Sequence, residues 1–202
     1  MKTLTVPEAL AEPNREMRRD MLGDLIVDTR SGRQVLSAED AELLFTAQNE
    51  EAQRDDFDGA MYAKLWELLS FGPPHELTRR VAAVIIDNPR SLCRGAAARY
   101  LLRNYPQGRA ELLDRLSRDP DPGVLDVVAR ELAATDRAAA IAVWERALGC
   151  DPLPHELAET IPHCLAGLAA PHDLARYAAW DGNTGKTIWG FVVAIARKPS
   201  TA

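Results

Sequence analysis

The sequence predicts an all-α protein, a short α-solenoid of stacked helical hairpins, and three observations carry that prediction. Apolar residues recur at helical spacing through most of the chain beyond residue 37. The joints between these periodic runs are short and rich in aspartate and proline. A joint of this kind returns every 32 residues, at Asp87, Asp119 and Asp151. No strand–helix alternation follows residue 40, which argues against a parallel sheet.

The 202 residues suffice for one ordinary domain with an appendage. A chain 47% hydrophobic and 27% charged has the mix of a soluble globular protein. The longest apolar runs, such as 188–195, are far too short to span a membrane. The first 30 residues carry no apolar signal core, so a cytoplasmic location is expected. Cys93, Cys150 and Cys164 show no CxxC spacing and read as buried thiols.

Taken in order, residues 1–20 hold Pro7, Pro13 and few apolar groups, so they read as a flexible arm with at most a turn of helix. Residues 25–36 place two β-rich runs around Ser31-Gly32, the pattern of a small β-hairpin. With the two helices after it, this hairpin forms a capping segment over 21–72. Ser37 followed by Asp40 gives a capping-box-like start to a helix over 37–53. Phe57, Met61, Leu65, Leu68 and Leu69 give the next, over 55–71. Pro73-Pro74 breaks the chain. Residues 73–202 then read as helical repeats with a C-terminal cap. Leu77, Val81, Val84 and Ile85 share one face of a helix over 76–87. Leu92, Ala96, Tyr100 and Leu101 mark one over 90–105. Further helices follow over 109–118, 122–134, 137–148, 154–169, 171–180 and 187–197.

The repeat has a physical basis. Asp87-Asn88-Pro89, Asp119-Pro120-Asp121-Pro122 and Asp151-Pro152-Leu153-Pro154 each close one helix and open the next. Aspartate accepts a backbone N–H at the new N-terminus, where its charge also suits the dipole. Ala98-Arg99-Tyr100-Leu101 aligns with Ala129-Arg130-Glu131-Leu132 in the helices that follow. A single helix pair is too small to bury its own apolar face, so neighbours stack. On these joints, and most clearly on residues 119–132, the chain resembles the HEAT-repeat and HEAT-like family of α-solenoids. The resemblance covers about residues 73–180 in three irregular repeats. It implies a binding scaffold and leaves the partner open.

All four histidines follow proline, at His75, His155, His163 and His172. Three lie in Pro-His-acid-Leu, which reads as a helix start with its leucine directed into the core, and neither HExxH nor H-x3-H occurs. Gly182-Asn183-Thr184-Gly185-Lys186-Thr187 resembles a phosphate loop but is two residues too short, with Trp180 where the first glycine belongs. Glu50, Glu51, Asp55, Asp56 and Asp58 read as a solvated acidic helix end. Ser91 and Cys93 have no nearby histidine to activate them. Trp66 and Trp144 read as core, while Trp180 and Trp189 border the glycine loop. No catalytic residue, metal ligand or cofactor site is assigned.

Charge supplies the candidate site. The net charge is −6, which argues against a nucleic-acid partner, but it is unevenly spread. Residues 39–58 hold eight acids and one base, 79–118 nine arginines and three acids, and 119–159 nine acids and three bases. Arg79, Arg80, Arg90, Arg94, Arg99, Arg103, Arg109, Arg115 and Arg118 therefore form a candidate strip for a protein partner acidic at the contact. The leading expectation is a non-catalytic protein-binding module with a scaffold, regulatory or inhibitor/immunity role. The alternative is a DNA-repair glycosylase, as some HEAT-like solenoids are, binding alkylated DNA through those arginines. A small-molecule enzyme rests on family analogy alone.

Overall fold

The computed structural model describes residues 4–168 as ten α-helices, with no strand among the described residues. They are α1 (Val6–Ala11), α2 (Arg15–Arg30), α3 (Ala38–Ala52), α4 (Gly59–Leu69), α5 (Glu76–Ile85), α6 (Ser91–Asn104), α7 (Arg109–Leu116), α8 (Pro122–Leu132), α9 (Arg137–Leu148) and α10 (His155–Leu168). The helices expected over 171–180 and 187–197 lie outside the described residues. The chain divides into two compact units, Met1–Leu112 and Leu113–Ala202.

In the first unit α4 is the central helix, packed by α2, α3 and α6, and α5 lies against α6. Its sequence explains this position, since Met61, Tyr62, Leu65, Trp66, Leu68 and Leu69 are all buried and cover more than one face. Five rings run in contact through the unit. Centroid separations are 5.4 Å for Phe57–Tyr62, 6.3 Å for Tyr62–Trp66, 5.6 Å for Trp66–Tyr100 and 5.9 Å for Tyr100–Tyr105. These are tilted or edge-on contacts, the geometry that aromatic quadrupoles favour.

The expected β-hairpin at 25–36 is absent, because α2 continues to Arg30. Ile26, Val27 and Thr29 carry strand propensity, but that is a weak prior. Leu22, Leu25 and Ile26 fall at i, i+3 and i+4, and burying that stripe decides the conformation. Ser31-Gly32 is the end of a helix. Gly32 takes φ +74, the Gly32 N–H donates to the Thr29 carbonyl at 3.1 Å, and the Arg33 N–H donates to the Asp28 carbonyl at 2.9 Å. That pair of bonds is a Schellman motif. Residues 1–20, expected as a flexible arm, hold α1 and the start of α2. Thr5 and Glu8 close a capping box on α1, and Val6 and Ala9 are buried.

Ser37 and Asp40 make the expected capping box on α3. The three recurring joints fall between α5 and α6, between α7 and α8, and between α9 and α10. Aspartate caps α8 at the second of them. Asp121 accepts the Gly123 and Val124 N–H groups at 2.9 and 3.3 Å, while Arg90 stands at the N-cap of α6 without a side-chain bond.

In the second unit α8 packs with α9 and α10. It is buried almost all round, from Pro122 and Val124 through Ala129 to Leu132. The Trp144 Nε1–H donates to Asp126 Oδ1 at 2.9 Å and the Arg130 Nε–H to Asp126 Oδ2 at 2.8 Å. A buried carboxylate is thus satisfied from two sides.

Candidate functional site

Most of the nine arginines make hydrogen bonds, ion pairs or ring contacts within their own unit. Arg94 donates to the carbonyls of Asn88 and Pro89, at 2.9 and 3.0 Å, and so ties down the joint between α5 and α6. Arg99 reaches across to Glu67 of α4 at 2.8 Å. Arg103 lies 4.7 Å over the Phe71 ring and donates to Ser70 Oγ at 3.2 Å. Arg90 lies 4.9 Å over Phe57 at one end of the aromatic series. Arg109 donates to the Leu102 carbonyl. Arg118 pairs with Asp114 at 2.6 Å on the surface of the second unit, which also holds the exposed Arg115. Arg80 is exposed on α5 and makes no ion pair among the described residues.

Arg79 and Arg109 do meet, across a groove of about 440 Å³ within the first unit. Its walls are Glu76 and Arg79 of α5, Leu101 and Tyr105 at the end of α6, and Arg109 and Leu112 of α7. Local sequence builds it. Tyr105 ends α6, and Gly108 at φ +77 turns the chain so that α7 begins beside α5. The Tyr105 hydroxyl donates to the His75 carbonyl at 3.1 Å, as does Tyr100 at 3.3 Å, which pins the start of α5. The Arg79 guanidinium stands 5.7 Å from the Tyr105 ring centroid and is held by Glu76 at 2.8 and 2.6 Å. That hydrogen-bonded pair holds the Glu76 carboxyl below its usual range and raises Arg79. Burial, then the Tyr100 hydroxyl, pushes the Tyr105 phenol above its ordinary value. Arg79 and Arg109 were legible in the sequence as basic residues. Glu76 and Tyr105 were not, because nothing local distinguishes a groove wall from a helix end.

Next to this groove the outer side of α5 is inverted. The positions it buries are Thr78 and Ala82, while Leu77 is 53% and Val84 75% exposed. The leucine of the Pro-His-Glu-Leu helix start therefore points away from the core, contrary to expectation. Fully burying such a side chain contributes about 1.5–3 kcal/mol, which this face leaves unrealised. The neighbouring α6 shows a milder version, with Leu92 43% exposed and Cys93 buried one position on.

His75 is the N-cap of α5 with its Nδ1 3.2 Å from Thr78 Oγ1, and His155 opens α10. Trp66 and Trp144 are core, as expected. The acidic helix end is only partly solvated. Glu51 is buried, takes the Arg15 guanidinium and accepts the Asp58 N–H at 2.7 Å, while Arg15 also reaches Asp56 at 2.7 Å. All three cysteines are free thiols, Cys93 is buried, and desolvation raises each above the ordinary thiol range. The phosphate-loop-like stretch, His172, Trp180 and Trp189 lie outside the described residues.

Neither a family model, nor a curated protein, nor a solved structure matches this chain. An all-α arrangement of ten helices among the described residues is what stands of the expected fold. No helix among them is long and apolar enough to cross a membrane.

Proposed function

We propose that this chain is a non-catalytic protein-binding module of the HEAT-like type, and that its contact site is the basic groove of Arg79, Tyr105 and Arg109. The single observation that carries this reading is the groove's chemistry. Two guanidiniums line the groove beside Leu101 and Leu112, Arg79 paired with Glu76 and Arg109 bonded to the Leu102 carbonyl. Guanidinium is charged throughout the physiological range and matches a carboxylate bidentately. Such a wall holds a partner's acidic side chain beside an apolar one. The recurrence of the Asp-Pro joint before α6, α8 and α10 supports the repeat reading.

The DNA-glycosylase alternative draws on the same arginines, and Arg94, Arg99 and Arg103 are already bonded to other groups of the first unit. Fewer cations are then left for phosphates, which dominate DNA affinity.

Calorimetric titration with a short, unstructured, glutamate-rich peptide containing one aromatic residue tests the groove. Arg79→Ala and, separately, Gln107→Glu at the groove's edge are expected to weaken binding about tenfold, and added salt to weaken it further. Binding that ignores both substitutions, or duplex DNA binding more tightly than the peptide, refutes the reading.

A further inference from the structure

We propose that Glu76 is a built-in competitor for the groove: in the unbound chain its carboxylate occupies Arg79, and a partner's carboxylate takes that place while Glu76 passes to Arg80. This deepens the protein-binding reading and rests on it. It gives Glu76 and Arg80 a part in setting which acidic partners the groove accepts.

Arg79 is already held by a carboxylate of its own chain. Its Nε–H donates to Glu76 Oε2 at 2.8 Å, and its Nη2 donates to Glu76 Oε1 at 2.6 Å. This is the two-point pairing by which a guanidinium recognises a carboxylate. Glu76 therefore brings to Arg79 the same chemistry that an acidic partner would bring. Glu76 is also the one acid among the residues that line the groove. The Tyr105 ring, 5.7 Å from the guanidinium, supports Arg79 whichever carboxylate it holds.

The pair is weak enough to open. The Glu76 side chain is 63% exposed and that of Arg79 is 42% exposed. An exposed pair on one helix shifts an equilibrium by a few-fold at most, because both groups are hydrated and lose rotamer freedom on meeting. A partner carboxylate that is backed by contacts at Arg109, Leu101 and Leu112 displaces it. A stray anion with no such backing merely exchanges one carboxylate for another and gains little. The pair thus discriminates against anions that do not fill the groove, which is specificity by built-in competition.

Arg80 offers the displaced side chain a second seat. Around α5, Arg79 and Arg80 lie about 60° and about 40° to either side of Glu76, one turn on. Arg80 is exposed and makes no ion pair among the described residues. Its charge, after the bonds and charge of Arg79, helps to hold the Glu76 carboxyl below its ordinary value. Glutamate four residues ahead of a cation is the favoured order on a helix. Glu76 also stays in the first turn of α5, at the positive end of the dipole, in both arrangements. Two arrangements close in free energy are what a displaceable competitor requires.

A double-mutant cycle on the full chain tests this, with the glutamate-rich peptide followed by calorimetry. Glu76→Gln keeps the side chain's shape and removes its charge, and is expected to tighten binding about two- to fivefold. Arg80→Ala is expected to weaken binding about twofold in the otherwise unaltered chain and to have no effect in Glu76→Gln. In NMR spectra the peptide should shift the Arg80 Nε–H signal as Glu76 arrives, and should leave that signal in place in Glu76→Gln. Unchanged circular dichroism and melting confirm that these exposed variants fold. Glu76→Gln binding no more tightly than the unaltered chain, with Arg79→Ala still weakening binding, overturns the competitor. Glu76 is then a support for Arg79, and the groove reading stands. An Arg80→Ala effect that persists in Glu76→Gln puts Arg80 against the peptide itself and overturns the exchange. Binding indifferent to Arg79→Ala removes the groove reading and the competitor with it.

Discussion

Arg30 of α2 and Arg99 of α6 take the two carboxylate oxygens of Glu67, one each, so a single acid on α4 ties three helices. Asp126 does the corresponding work in the second unit, where it satisfies the indole of Trp144 and the guanidinium of Arg130. The two halves of that arrangement differ in worth. Trp144 is buried, and a buried donor left without a partner costs about 1–3 kcal/mol. Arg130 is partly exposed, and an exposed i,i+4 pair contributes about 0.3–0.5 kcal/mol. Asp126→Ala is therefore expected to lower stability by roughly 1–3 kcal/mol in urea unfolding. Asp126→Asn, which keeps an acceptor for the indole, should recover most of it. Equal losses in the two variants would assign the stability to the ion pair instead. Tyr62 gives a pH prediction. Burial pushes its phenol up to about 12 from an ordinary value of 10.0. A raised folded value means that the stabilisation is complete below the unfolded value and is lost as pH climbs through the folded one. Stability should therefore fall between about pH 10 and 12, and Tyr62→Phe should flatten that fall as followed by circular dichroism.

At the scale of the element, α2 and α5 show opposite ways in which a local pattern is resolved. The β-branched residues of α2 favour a strand, and Gly32 suits a hairpin turn as well as a helix end. The stripe Leu22, Leu25 and Ile26 settles the matter by finding a partner in α4. Gly32→Ala is then expected to cost about 1–2 kcal/mol, the penalty of a left-handed residue with a Cβ, with helicity retained. A gain in stability, or a strand signature in the far-ultraviolet spectrum, would contradict a helix ending there. On α5 the stripe exists and finds no cover within its own unit. Val84→Asp should consequently leave thermal stability within about 0.5 kcal/mol, whereas the same change at Leu68, which is fully buried, should prevent folding.

At the scale of the molecule, charge is zoned along the chain, and folding engages part of that zoning with the protein's own groups. The nine arginines of 79–118 look like one strip in the sequence, yet Arg94, Arg99 and Arg103 are drawn into joints and interfaces. The net charge is −6. Self-association measured by light scattering should therefore rise as pH falls toward the isoelectric point near 5.3 and the repulsion between molecules vanishes. Helix positions and their joints from residue 37 to 168 were legible in the sequence because they depend on local signals: apolar spacing, capping groups, and prolines that end one helix and begin another. The Ser37 cap, the buried Trp66 and Trp144 and the joint at Asp121 all follow from such signals. Which stripe meets a partner, which arginine meets a carboxylate, and how Tyr105 and Gly108 shape a groove depend on residues distant in the chain. Periodicity states only that residues share a face. The tertiary packing alone decides whether that face is covered, and so it alone separates an internal strut such as Arg99 from an outward charge such as Arg80.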